Sequence, residues 1–425
     1  MIDIKFIRNY PEKIKKACQD KQVSVDIDKL LKLDEERRKL IAEKENLKAK
    51  QNKASKRIAG LAGSQKKKAI IETQKLTGRI EKLTDELNKI KSEFDELMLS
   101  IPNPALPDVK VGKDESDNEI LRHWGEVPKF DFKPKDHIQV GKDLDLIDTR
   151  RAGKVSGSRF GYLKNEAVLL QFAVINYALE VLSANGFKPI LPPVMIGEKS
   201  MAAMGYLARG GEEETYHFAK DGLYLVGTSE QSIGPYYMDE VLDEKILPLR
   251  YVGYSTCFRR EAGSYGKDTK GILRVHQFDK LEMFSFARPE DSDKEHEFLL
   301  SMEEKLVQGL EIPYRVVKMC TGDLGGPAAR KYDIECWMPG QNCYRETHST
   351  STCTDFQARR LNIRYRPKSK IQNLKSKFVH TLNGTAFAIG RILIAILENY
   401  QQKDGSVKVP EVLQKYVGTK EIKKI

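Results

Sequence analysis

Leu76, Leu83, Ile90 and Leu97 recur every seven residues, and Ile80, Leu87 and Phe94 do the same with an offset of four. This apolar seam over three heptads commits the segment to a long helix lying against another helix. Upstream, Leu33, Leu40, Leu47, Ala54 and Leu61 hold one seam position of a second helix. Its other positions, Leu30, Arg37, Lys44, Gln51 and Ile58, mix apolar with polar residues, so that seam is weaker. Gly60-Leu61-Ala62-Gly63-Ser64 between them is a turn signal. The pattern predicts an antiparallel coiled-coil arm over about 28–99, and about 35 residues per helix make a rod of roughly 50 Å.

From Asn46 to Ile71 the arm carries Lys48, Lys50, Lys53, Lys56, Arg57, Lys66, Lys67 and Lys68 and no acid. Taken alone, such a run suits the solvated face of a spacer or dimerisation coil. It also suits contact with nucleic-acid phosphates. The net charge of +11 over 425 residues permits an anionic partner without identifying one. Hydrophobic residues at 40%, with 16 Phe and 17 Tyr, exclude a mainly disordered chain. No window approaches about 18 consecutive apolar residues, so no membrane span is predicted. The first residues lack an apolar signal region, which predicts a cytoplasmic protein with reduced thiols. The six Cys form no CxxC pair, so zinc-ribbon and thioredoxin readings lack their spacing.

Three prolines at 102, 104 and 107 end the arm. They predict an N-terminal domain over 1–107 and a second domain over 108–425. In the second, a helix is expected near 164–185, and strand-like runs at 223–226, 249–254, 281–286, 314–317 and 332–337. Strands and helices mix without βαβ alternation, and neither GxGxxG nor GxxxxGK[ST] occurs. The expected class is α+β, an antiparallel sheet flanked by helices.

Polar residues concentrate in three stretches of apolar context. The first runs from Cys257-Phe258-Arg259-Arg260-Glu261 to His276-Gln277-Phe278-Asp279-Lys280-Leu281-Glu282. An Arg at a strand end can grip a phosphate in a fixed fork, a Glu can read an amino group and a Phe can stack on a base. A hairpin with surface ion pairs is the plainer alternative. The second, Leu382–Arg391, leads into a helix so apolar that it must be buried. Its Arg391 then needs a partner, an internal carboxylate or an anionic ligand. In the third, Arg345–Ser349, a Glu and a hydroxyl three residues apart could share a hard metal, or could simply decorate a surface strand.

The Phe-Arg-x-Glu strand with its HQFDKLE return resembles motif 2 of class II aminoacyl-tRNA synthetases, and Asn383–Arg391 with its helix resembles motif 3. The strand ending at Pro192-Pro193 is similar to motif 1, the dimer-forming element. With KVSGSRF at 154–160, RREAG at 259–263, DFQARR at 355–360, NYQ at 399–401 and the basic arm, the whole chain resembles the seryl-tRNA synthetases of the standard bacterial type. That resemblance implies an N-terminal tRNA-binding domain and a class II catalytic domain. It also implies activation of L-serine with ATP and Mg²⁺, and transfer of serine to the 3′ end of serine tRNA. The same tRNA geometry would admit selenocysteine tRNA. Implied partners are a second copy in a homodimer and the long variable arm of the tRNA, met by the eight basic residues above.

By position, Arg259 and Arg391 are the implied catalytic cations on the α- and γ-phosphates. ATP would also meet Arg260, Glu261, Val275, Phe278, Glu346, Thr347, His348 and Ser349, with Glu346 and Ser349 as metal ligands. Thr228, Ser229, Glu230, Glu282, Asn383 and Thr385, with Arg259, are the implied serine pocket. The sequence departs from the family pattern at Ser229 (usually Ala), Thr347-His348 (usually Val-Ser), Thr385 (commonly Ser) and Tyr265 (usually small). An adenylating enzyme with a carrier-protein acceptor would have no use for the arm. A non-catalytic RNA-binding paralogue would be expected to lose Arg259, Glu261, Glu282 or Arg391, and all four are present.

Overall fold

The structure is a computed structural model that describes residues 1–207, 211–263, 268, 270–368 and 375–424. It divides into two compact units, Ile2–Pro102 and Asn103–Ile425, the second including Met1.

The N-terminal unit opens with α1 (Ile4–Asn9) and α2 (Pro11–Asp20) and continues into α3 (Ile27–Ile58) and α4 (Gly63–Ser100). Asp26 caps α3, its carboxylate accepting from Lys29 N at 2.8 Å. Gly63, at φ +58°, lets the chain turn directly into α4. All seven seam residues of α4 are buried or half-buried. The polar seam positions of α3 are matched individually. Gln51 donates to Thr77 Oγ1 across the pair at 2.8 Å, and Arg37 lies 4.5 Å over the Phe94 ring. Arg37 also joins Arg8 and Arg38 around Asp34, a fully buried carboxylate with each arginine at 3.1 Å. A buried carboxylate ringed by guanidiniums, two of them hydrogen-bonded to it, is compensated for its lost hydration, the condition under which burial is tolerable. All eight basic residues of the acid-free window are exposed.

In the second unit, eight strands form one sheet among the described residues: β1 (Glu119–Trp124), β2 (Lys188–Ile190), β3 (Leu249–Phe258), β4 (Gln277–Ala287), β5 (Tyr314–Lys318), β6 (Arg330–Met338), β7 (Cys343–Thr352) and β8 (His380–Ala388). Their order is β1-β5-β6-β7-β8-β4-β3-β2, and only β2 lies parallel to its neighbour. Three helices pack in the same core, α5 (Glu166–Ala184), α6 (Ser292–Gly309) and α7 (Ile389–Asn399). The expected α+β class is therefore found; the runs at 249–254, 281–286, 314–317 and 332–337 extend one to five residues further, while 223–226 is a short strand, Leu223–Leu225, of a separate three-stranded sheet. Two ladders carry bulges at positions that matter below. On β8 the extra residue falls between the partners of Leu281 and Glu282, and on β7 it is Thr347. Bulges re-aim side chains that strict alternation would send elsewhere.

α5 qualifies the expectation about membranes. By length and composition it could cross one, with mean hydropathy 1.6. Instead Ala167, Leu170, Ala173, Val174, Ala178 and Leu182 are buried in the core, and Leu169 and Phe172 form an exposed stripe. α7 also holds a second charge, Glu398, fully buried and accepting from His137 N and Gly340 N at 2.9 Å each.

His296 on α6 shows what burial does to a titratable ring. It is fully buried, its Nδ1 accepts from Arg330 Nε at 3.2 Å, and it stacks on Tyr332 at 5.0 Å. Burial, and then Arg330, push its pKa down to about 3. The unfolded ring takes up its proton near pH 6.5. Its contribution is therefore intact above that pH and is lost as pH falls toward 3. The stability gap between wild type and His296→Gln should shrink by about 1.4 kcal/mol per pH unit below pH 6.5. Urea midpoints from pH 7 to 4.5 measure it, and a pH-independent gap would mean that the folded ring takes up its proton as readily as the unfolded one.

Candidate active site

β3 and β4 pair from Phe258 opposite Gln277 inward, and Arg259 follows directly. Arg259 N donates to His276 O at 3.0 Å, while His276 Nδ1 lies 3.0 Å from Arg259 O, closing the base of the long loop. His276 N donates to Arg159 O at 3.0 Å, so KVSGSRF braces the same point. The Arg259 side chain is then fixed twice, by Nε donating to Gly227 O at 3.2 Å and by the Phe278 ring, 5.4 Å from the guanidinium. Glu261 takes a left-handed backbone, φ +53°, and its carboxylate meets Arg274 at 2.8 Å.

The facing wall comes from β6, β7 and α7. Arg391 donates to Glu346 O at 2.9 Å and pairs with its carboxylate at 3.1 Å. Burial would raise the Glu346 carboxyl, but Arg391 and then Lys331 prevail and hold it at about 2. Lys331 also pairs with Asp333 at 3.1 Å. Burial, against the pull of Lys331 and with Glu346 adding repulsion, raises Asp333 to about 7.

These walls enclose a cavity of about 310 Å³. Of the predicted ATP and metal residues, Arg259, Glu261, Val275, Phe278, Glu346, Thr347, Ser349 and Arg391 line it together. Two stand apart. His348 is 1% exposed, turned from the cavity beside the bulge and packed on Phe387 at 5.3 Å, and burial pushes its pKa down to about 3. Arg260 is exposed and contributes only its backbone N, bonded to Glu214 O at 2.9 Å. Tyr265 lies outside the described residues. Lys280, Lys331 and Arg274 also line the cavity and were missed. Lys280 stood inside the quoted HQFDKLE, where strand alternation alone could have flagged it.

The cavity is lined by five cations (Arg259, Arg274, Lys280, Lys331 and Arg391) against two carboxylates, Glu261 and Glu346. Four of the cations already have carboxylate partners, Lys280 taking Glu282 at 3.0 Å. Arg259 has no carboxylate within 4.0 Å among the described residues. A fixed, half-buried guanidinium without a counter-charge marks a place for an anion.

Beside the cavity lies a second polar cluster. Thr385 reaches both, lining the cavity while its hydroxyl lies 3.4 Å from Glu282. Glu230 is 4% exposed; burial and then Glu282 raise its pKa. Thr228 and Asn383 are buried in the same region, Thr228 Oγ1 accepting from Glu230 N at 3.4 Å. The Ser229 side chain points away, its hydroxyl bonded beneath to Ser255 Oγ at 2.7 Å and Gly253 O at 3.3 Å. That bonding accommodates the departure from alanine.

Residues 1–105 match the family model of the seryl-tRNA synthetase N-terminal domain, and 216–400 that of the class II tRNA synthetase core domain (G, H, P, S and T). A serine–tRNA ligase of Dictyoglomus turgidum is 46% identical, over 100% of this chain and 99% of the relative. The chain belongs to the serine–tRNA ligase family. The Nitrosopumilus maritimus serine–tRNA ligase is 43% identical over 98% of this chain and 99% of the relative. Among solved structures, seryl-tRNA synthetase from Pyrococcus horikoshii complexed with ATP superposes with a TM-score of 0.90 at 42% identity, covering 100% of both chains.

The Ser229–Ser255 contact gives a test of the local geometry. Each single alanine replacement should cost about 1 kcal/mol by stranding a buried hydroxyl. The double replacement should cost less than the sum of the two. Urea midpoints of the three variants measure it, and strict additivity would mean that the hydroxyls do not meet.

Proposed function

We propose that this chain is a homodimeric, cytoplasmic serine–tRNA ligase that activates L-serine with ATP and transfers it to the 3′ end of serine tRNA. The observation that carries the reading is Arg259, fixed at the cavity wall by Gly227 and Phe278 and, among the described residues, without a carboxylate within 4.0 Å. Its place suits the α-phosphate of ATP. Arg391, across the cavity, suits the γ-phosphate, and Phe278 and Val275 suit the adenine ring, with Glu261 near the adenine amino group. Glu346, ionised, and Ser349 offer two hard oxygen donors on one wall, which fits Mg²⁺, an ion that keeps most of its coordination for water and phosphate. When bound there it would supply charge neutralisation on the phosphates.

The activation step needs no protein base. The serine carboxylate is already ionised and attacks the α-phosphorus. The new C–O–P bond forms as the bond to the β-phosphate oxygen breaks and pyrophosphate leaves. Bringing two anions together is the main obstacle, so fixed cations supply most of the acceleration. Glu230 and Glu282 are placed to read the ammonium and hydroxyl of serine, beside Thr228, Asn383 and Thr385. A site that hydrogen-bonds a hydroxyl rejects alanine strongly. A tRNA 3′-hydroxyl then attacks the seryl carbonyl; the ester bond forms as the bond from the carbonyl carbon to the phosphate oxygen breaks, AMP leaves and the hydroxyl proton is released. The exposed Leu169, Phe172 and Leu191, on α5 and just after β2, support an apolar contact between two copies.

ATP–pyrophosphate exchange with serine, threonine, alanine and glycine tests the reading directly. Exchange is expected with serine and Mg²⁺ alone, and its absence with serine refutes the proposal. Arg259→Lys should lose about 10²–10³ in kcat, because an ammonium cannot reproduce the fork.

The exposed basic end of α3 and α4 suits the phosphates of a long variable arm. Replacing Lys53, Lys56 and Arg57 with Ala should lower the salt slope of tRNA binding by about 2–3 and leave pyrophosphate exchange intact. An unchanged slope in filter-binding assays would remove these residues from the tRNA interface.

A further inference from the structure

Asp355–Arg360 is a motif to which the cavity assigns no task. Within it Asp355 pairs with Arg359 at 2.6 Å and Arg360 lies 4.2 Å over the Phe356 ring, both local contacts. Gln357 is different. It is fully buried, and its amide nitrogen donates to Glu230 Oε1 at 2.9 Å. Its amide oxygen accepts from the Thr381 hydroxyl at 2.7 Å. From the other side the Tyr206 hydroxyl donates to Glu230 Oε2 at 2.7 Å.

We propose that Gln357 and Tyr206 are positioning residues that fix Glu230 as an acceptor for the amino-acid substrate, one donor on each carboxylate oxygen. The inference rests on the reading of Glu230 as part of the serine pocket. Thr381 sets the amide orientation, because a hydroxyl donating to the Gln357 oxygen leaves the amide nitrogen facing Glu230. A carboxylate has about four lone-pair sites, so the two donors leave two over for a ligand. The donors also favour the ionised form. That matters here, because burial and Glu282 press Glu230 toward neutrality. Among the described residues, the charged and titratable groups around this point are Glu282 and Lys280 on β4, Tyr206, and the Cys353 thiol beside Tyr206. A neutral glutamic acid would hold a serine ammonium poorly, so the two donors control serine affinity without touching serine.

The experiment is serine-dependent pyrophosphate exchange from pH 5.5 to 8.5 on the full-length protein, with kcat and both KM values, for Tyr206→Phe, Gln357→Leu, Gln357→Glu and Glu230→Gln. Tyr206→Phe and Gln357→Leu should each raise the serine KM about ten- to hundredfold, the worth of a hydrogen bond to a charged group. The ATP KM should stay within about twofold. The acid limb of kcat/KM for serine should move to higher pH in both. Gln357→Glu, nearest in shape, should move that limb furthest, because two adjacent carboxyls compete for one proton. Loss of activity that is equal at all pH values, or a Gln357→Glu variant closer to wild type than Gln357→Leu, overturns the inference. An unchanged serine KM in Glu230→Gln overturns the pocket reading beneath it. Should Gln357→Leu fail to fold, Tyr206→Phe and Gln357→Glu still decide the question.

Discussion

The ion pair between Arg391 and Glu346 lets an almost wholly apolar helix carry a cation at the edge of the core, where it lines the cavity. A half-buried charge there needs a counter-charge to offset its lost hydration. α7 can pack against the sheet because β7 presents a carboxylate at the matching height, re-aimed by the bulge at Thr347. The same constraint repeats around the cavity, where Lys331 has Asp333, Lys280 has Glu282 and Arg274 has Glu261. The protein thereby holds a dense set of cations in place without a ligand. Each is already oriented, so a polyanion entering the cavity meets a charge distribution that needs little rearrangement, the condition for strong electrostatic catalysis. In the N-terminal unit the rule is inverted. There Asp34 is the buried charge and three arginines surround it.

Much of this was legible in the sequence, for reasons that differ by region. The α4 seam was explicit, because seven apolar residues at heptad spacing permit little besides a helix pair. The α3 seam read as weak because Arg37 and Gln51 are polar. Its strength lies in Asp34, Phe94 and Thr77, partners that one-dimensional periodicity cannot assign. β7 read equally well as a surface strand, since Arg345–Ser349 is polar throughout. Only the sheet order places it between β6 and β8. The charge on Arg391 needs a partner, and of the two alternatives the structure supplies the internal carboxylate. The partner inside the fold is Glu346, and the pair faces the cavity. His348 was misplaced for a local reason: a bulge shifts the alternation by one residue, and no sequence signal marks it. Gln357 was quoted in DFQARR without a role, because its partners Glu230 and Thr381 lie 127 and 24 residues away.

Two opposite chemistries therefore lie side by side on one sheet. The larger cavity is lined by cations, and the neighbouring cluster around Glu230 and Glu282 is rich in carboxylates. On the proposed reading, a substrate that is itself a zwitterion must span the boundary between them, ammonium toward the carboxylates and carboxylate toward the cations. Arg259 stands at that boundary. Its Nε grips Gly227, the residue that leads into Thr228–Glu230, and its guanidinium faces Phe278 in the other half. On that reading one side chain sets the distance between the group that would hold the amino acid and the surface that would hold the phosphates. That distance decides whether the two anions meet in line. A residue that fixes it can control the reaction rate through geometry as much as through charge.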